Sequence, residues 1–132
     1  MSRKNADLIR RAFEATLRED WSAALVALSD DMEIRDHDIP DGDVYRGHAG
    51  YLEWLSRWSE SWGSFRIEDL DVRPVGEDRA IAFFELVATG RGSGVEVRRR
   101  DAITYQLRDA KVVRQDYYND QAEARRALGL SE

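Results

Sequence analysis

From Ala6 to Leu17 the positions Leu8, Ile9, Ala12, Phe13, Thr16 and Leu17 recur at helical spacing, while Arg10, Arg11, Glu14 and Arg18 take the other side. The pattern predicts an amphipathic helix. A shorter helix is expected from about Ser22 to Leu28, entered through Glu19-Asp20 with Trp21 as a hydrophobic clamp and ended by Asp30-Asp31. Met32 to Ile39 then reads as a strand, with Met32, Ile34, Asp36 and Asp38 on one face and Glu33, Arg35 and His37 on the other. Pro40-Asp41-Gly42-Asp43 imposes a loop. Beyond Gly47, the residues Tyr51, Leu55, Trp58 and Trp62 form an apolar stripe beside Trp54, which predicts a third helix to about Trp62.

After Gly63 the period changes to two, and four strands are expected: Phe65 to Val75, Arg79 to Thr89, Val95 to Arg108 and Lys111 to Tyr118. Their connections are short, at Gly76-Glu77-Asp78, at Gly90-Arg91-Gly92-Ser93-Gly94 and at Arg108-Asp109-Ala110. Antiparallel neighbours follow, because a parallel pair needs a crossover of about a dozen residues. Gln121 to Leu128 adds a closing helical turn or two. The class is α+β: three helices, one early strand and a long curved meander.

The 132 residues, 42% hydrophobic with two prolines, suit one domain with one core. Lysine and arginine number 20 against 26 acidic residues, a formal charge of -6, so no nucleic-acid or membrane partner is indicated. The absence of cysteine removes disulfides, thiolate metal sites and cysteine nucleophiles together. The segment from Met1 to Asp7 has no apolar signal core, and no apolar run approaches the roughly 18 residues of a membrane span, so a cytoplasmic protein is expected. Gly90-Arg91-Gly92-Ser93-Gly94 lacks the spacing and following helix of a dinucleotide site, His37 and His48 match no metal signature, and no serine sits in an elbow motif. Neither a cofactor nor a metal is expected.

Candidate chemistry rests on four aspartates. Asp36 and Asp38 follow Met32-Glu33-Ile34, Asp101 precedes Ile103 and Tyr105, and Asp116 follows Val112, so alternation turns all four toward an apolar interior. An ionised carboxylate is costly there unless paired, hydrogen-bonded or protonated, and the same conditions tune a carboxylate for proton transfer. The blander alternatives are equally concrete. Asp116 has Arg99 or Arg114 to pair with, Asp101 sits beside Arg98, Arg99 and Arg100, and the tryptophan stripe also reads as plain core.

The element order, Tyr45-Arg46-Gly47-His48 before the third helix and the closing string from Lys111 to Asp120 together resemble the nuclear transport factor 2-like superfamily, SnoaL-like branch. The resemblance implies a strongly bent, mostly antiparallel sheet wrapped around helices as a cone with a pocket at its open end. It also implies pairing into a homodimer through the outer sheet face. The superfamily includes ketosteroid isomerases, polyketide cyclases and limonene-epoxide hydrolases as well as proteins without catalysis.

Carried over by position, Asp101 resembles the protonated acid of ketosteroid isomerases, and Asp36 or Asp38 resembles their general base. Phe13 stands where those enzymes carry an oxyanion-site tyrosine, and it has no hydroxyl. Asp116 resembles the water-activating aspartate of limonene-epoxide hydrolases, with Arg99 and Asp101 spaced like a second pair of that site. A SnoaL-type cyclase needs one carboxylic group and an apolar wall. Asp116 or Asp101 would be the group, with Asp36, Asp38, His37, Tyr105 or Tyr118 as helpers and Trp54, Trp58 and Trp62 as wall. The reading is acid–base catalysis on an apolar, oxygen-bearing small molecule, by cyclisation, isomerisation, dehydration or water addition. Its alternative is a non-catalytic ligand-binding or interaction module, in which arginines neutralise the aspartates and tryptophans fill the pocket.

Overall fold

In the computed structural model, which describes residues 2–39, 42 and 44–130, ten elements follow one another. They are α1 (Ser2–Leu17), α2 (Trp21–Leu25), β1 (Leu28–Asp36), β2 (Val44–Arg46), α3 (Gly47–Glu60), β3 (Trp62–Val75), β4 (Arg79–Gly90), β5 (Glu96–Arg108), β6 (Lys111–Tyr118) and α4 (Gln121–Ala127). Acidic caps start the two short helices: Asp20 accepts from Ala23 N at 3.4 Å, and Asp120 accepts from Ala122 N at 2.9 Å. Gly47 turns the chain from β2 into α3 at φ +70°, and a Cβ there would meet Asp30 O at 2.9 Å.

The six strands form one open sheet in the order β2-β1-β6-β5-β4-β3. The meander from β3 to β6 is antiparallel throughout, and β1 lies parallel to β6. Register shifts interrupt β3 between Trp62 and Ser64 and between Glu68 and Asp71, and such irregularities bend a strand. The sheet curves around α1 and α3 as the cone that the strand pattern and the resemblance implied. Its inner face carries Ala80, Ala82 and Phe84 of β4, Ile103, Tyr105 and Leu107 of β5 and Val112 and Tyr117 of β6, packed with Ile9 of α1 and Tyr51 and Trp54 of α3. A smaller cluster on the outer face joins Ile81, Phe83, Ala102 and Tyr118 to Ala124 of α4.

Several boundaries differ from the periodicity. Helix α2 stops at Leu25 because β6 captures the next stretch, Val112 N donating to Ala27 O at 2.9 Å. The first strand therefore runs Leu28–Asp36, not Met32 to Ile39, and Asp30 and Asp31 lie inside it. They are tolerated because the β1–β6 register shifts between Leu28 and Glu33 and leaves both acids exposed. Trp62 opens β3, pairing with Gly90, and does not end the helix. The short β2 had no alternating signal of its own. Of the loop expected at Pro40-Asp41-Gly42-Asp43, only Gly42 lies within the described residues, its N–H bonded to Ile39 O at 3.1 Å. Among the described residues no helix is long and apolar enough to cross a membrane.

Candidate functional site

A cavity of about 490 Å³ opens between α1, α3 and the inner sheet face. Each element contributes the side that its periodicity turns inward: Ile9, Phe13 and Thr16 from α1, Tyr51, Trp54, Leu55 and Trp58 from α3, and the alternating pairs Ile103 with Tyr105 and Gln115 with Tyr117 from β5 and β6. Phe13 meets Phe84 edge-on at 5.4 Å, and Trp58 meets Phe65 edge-on at 4.9 Å, so aromatic rings make much of the wall. Among the described residues seven large hydrophobic side chains are exposed, and four of them, Leu17, Trp21, Leu52 and Phe65, line this cavity. Their concentration gives the cavity an apolar rim, the kind of exposed patch that marks a binding site.

The wall holds few polar atoms. Thr16 Oγ1 and Tyr51 Oη share a hydrogen bond of 2.8 Å, and burial pushes the Tyr51 hydroxyl up to about 12. Tyr105 and Gln115 face each other directly across β5 and β6, and neither side chain has a hydrogen-bond partner among the described residues. Burial also pushes Tyr105 well above the ordinary tyrosine range. Both tyrosines are therefore neutral O–H groups at any ordinary pH. Tyr117 faces the cavity as well, but its hydroxyl donates to Asp101.

None of Asp36, Asp38, Asp101 and Asp116 lies in the cavity wall. Two of them, Asp101 and Asp38, bind Arg99, and Asp36 lies next to Asp38. Asp101, fully buried, takes a fork from Arg99 at 2.7 Å (Nε) and 3.0 Å (Nη2), and the Tyr117 hydroxyl in addition. Arg99 Nη2 also reaches Asp38 at 3.2 Å, and Asn119 Nδ2 donates to the other Asp38 oxygen at 2.5 Å. Asp36, buried behind Trp54, accepts from its indole Nε1 at 2.7 Å and from Asp38 N at 2.9 Å. Burial outweighs those hydrogen bonds and pushes the Asp36 carboxyl up.

Asp116 stands on the opposite face of the sheet. Arg114 Nε donates to it at 2.8 Å and Nη2 at 3.1 Å, and His37 Nε2 lies 2.8 Å away with its ring stacked on Tyr118. Burial alone would push this carboxyl up, but the hydrogen bonds from Arg114 and His37 and the guanidinium charge hold it below the ordinary range. Its orientation has a local cause. Gln106 pairs with Arg114 but Leu107 pairs with Val112, so Val113 is an extra residue in β6 and the alternation flips there. Val112 faces inward while Asp116 faces out, and Gln115 and Tyr117 take the inward places.

Of the aromatic wall read from the sequence, Phe13, Trp54, Trp58 and Tyr105 line the cavity. Trp62 sits behind Trp58, with Arg99 5.9 Å above its ring, and Tyr118 belongs to the outer cluster. The sequence reading missed Thr16 and Tyr51 as a polar pair and Gln115 altogether. Its signal was the alternation about Asp116, hidden by the bulge. Among the described residues no group of three or more His, Asp or Glu side chains is arranged to hold a metal ion.

Residues 9–115 match the family model of the SnoaL-like domain. Solved structures are similar over nearly the whole chain. A candidate polyketide cyclase from Xanthomonas campestris pv. campestris is 20% identical with a TM-score of 0.76, covering 96% of this chain and 98% of that one. An NTF2-like protein of unknown function from Burkholderia pseudomallei is 19% identical with a TM-score of 0.76, covering 95% and 97%. TerC, co-crystallised with polyporic acid, is 19% identical with a TM-score of 0.76, covering 96% and 98%. At such identities the likeness is one of fold. None of the curated proteins matches the chain in sequence.

Proposed function

The chain belongs to the SnoaL-like domain family, a small-molecule-binding fold, and on that premise we propose that its cavity receives an apolar, oxygen-bearing small molecule and holds it without acid–base chemistry by the four aspartates. The observation that carries this reading is the open, aromatic cavity of about 490 Å³, within the usual range for a small-ligand site, with no carboxylate of the four in its wall. A group that does chemistry has to come within hydrogen-bond reach of the reacting atom, directly or through one water. Arg99 and Arg114 also occupy the carboxylates that a substrate would need. The tryptophans do not fill the cavity, so the space is left for a guest.

A second reading, acid–base catalysis, is supported by one contact. Tyr117 lies in the wall and donates to Asp101, which links the cavity to a buried carboxylate. The route is a poor one, because burial and the neighbouring Asp101 charge push Tyr117 well above the ordinary tyrosine range. The proposal includes a homodimer joined through the outer sheet face, where Arg98 sits among Glu68, Glu85 and Glu96; sedimentation equilibrium at twice the monomer mass is the expected result.

The binding reading is tested with N-phenylnaphthylamine, an apolar dye that takes up tryptophan emission. Trp54 and Trp58 in the wall are the donors. Saturable energy transfer is expected in the natural protein and its loss in Ala12→Trp, which puts an indole into the cavity from α1. No saturable transfer, or equal transfer in the variant with the fold intact by circular dichroism, would sink the proposal.

A further inference from the structure

We infer that Tyr105 and Gln115 form a polar anchor that selects a neutral ligand carrying a carbonyl group over an anionic one. This rests on the binding reading above and names the chemistry of the guest.

The two side chains are 7% and 3% exposed, yet they are neither hydrogen-bonded to a described residue nor sealed away. The polar side-chain atoms that are both sealed and unpartnered among the described residues are Arg35 Nε and the indole Nε1 atoms of Trp58 and Trp62. The Tyr105 hydroxyl and the Gln115 amide are not among them. They open onto the cavity whose wall they share. Buried polar groups are ordinarily satisfied, and an unpartnered one costs roughly 1–3 kcal/mol of desolvation. Two such groups side by side point to a partner that enters from outside.

Their placement limits that partner. Residues opposite each other on antiparallel strands have Cβ atoms about 5 Å apart, so the two side chains leave the sheet as neighbours on the cavity face. Tyr105 is held in its O–H form, and Gln115 offers N–H donors beside one carbonyl acceptor. A ligand carbonyl oxygen can accept from both, and an adjacent ligand hydroxyl would satisfy the Gln115 oxygen. Thr16 and Tyr51, the neighbouring pair, share one hydrogen bond that engages both hydroxyls and leaves one of their two O–H protons over.

The rest of the wall sets the charge. Among the described residues its one carboxylate is Glu19 at the exposed rim, and no cationic side chain lines the cavity. An anion inside would find no counter-charge and would pass an acid on entry.

The test compares three dyes of similar size: prodan, a neutral naphthyl ketone; N-phenylnaphthylamine, neutral without a carbonyl; and anilinonaphthalene sulfonate, an anion. Prodan is expected to bind more tightly than the anion. Tyr105→Phe and Gln115→Leu should each weaken prodan by about five- to tenfold, the worth of one hydrogen bond, and blue-shift its bound emission. N-phenylnaphthylamine should change by less than about twofold. Equal losses for the two neutral dyes, unchanged prodan affinity in both variants, or preferential binding of the sulfonate would overturn the anchor while leaving the binding reading intact. Failure of both neutral dyes to bind the natural protein would instead remove the binding reading and the anchor with it.

Discussion

Replacing Asp101 by Asn isolates the charge of one buried carboxylate while keeping its volume and one of its oxygens. In the native arrangement that carboxylate takes two bonds from Arg99, at 2.7 and 3.0 Å, and a third from Tyr117. Hydrogen bonds to charged groups contribute roughly 1.5–3 kcal/mol each, and breaking a buried ion pair by removing one partner costs about 3–5 kcal/mol. Arg99 keeps Asp38 at 3.2 Å, so its charge is not left wholly unpaired and the lower end of that range applies. The expected loss is about 3 kcal/mol, or about 10 °C in melting temperature for a chain of this length. Urea unfolding followed by tryptophan emission measures it, with Arg99→Met and the double variant closing the cycle. A coupling of about 2 kcal/mol between the two sites is expected. A loss under about 0.5 kcal/mol in Asp101→Asn, or a coupling near zero, would refute the assignment of Asp101 to Arg99 and restore it as an acid available to the cavity.

The cavity's polar groups should separate by stability. Tyr105→Phe and Gln115→Leu remove groups without a described partner and should leave the unfolding free energy unchanged or raise it, whereas Tyr51→Phe strands Thr16 and should lose about 1 kcal/mol. Asp116, held below the ordinary value of 3.8, contributes stability that is present above that pH and lost as pH falls through its lower folded value. Acid unfolding of Asp116→Asn should therefore lack that part of the slope. Asp36 has the opposite sign: its folded carboxyl lies above 3.8, so stability falls as pH rises from there through the folded value. Asp36→Asn keeps an acceptor for Trp54 or for Asp38 N but not for both, so it should show no such fall while losing about 1 kcal/mol for the unmade hydrogen bond.

The helices and the meander were legible because their apolar residues keep period and their turns carry glycine or polar pairs. The stripe at Tyr51, Leu55 and Trp58 placed α3, and the string from Lys111 to Tyr118 placed β6 to the residue. What failed was the arithmetic of facing. One extra residue at Val113 turned Asp116 to the outer face and Gln115 to the inner one, and a bulge leaves no mark in a two-residue pattern read on one strand alone. The first strand was misplaced because its start is fixed by a bond from a residue eighty-odd positions later, Val112 N to Ala27 O. Trp54, Trp58 and Phe13 were found as wall because they are large and apolar. That Tyr105 and Gln115 lack partners among the described residues could not be read from residue type, since it depends on what stands across the cavity.

The most direct measurement is a titration of isotope-labelled protein with prodan, followed by two-dimensional NMR with intermolecular contacts assigned. Contacts from the dye to Phe13, Trp54 and Ile103, with the largest side-chain shift at the Gln115 amide, are predicted. Contacts confined to Phe83 and Tyr118 on the outer face, or a saturating dye that leaves Gln115 unmoved, would contradict the account.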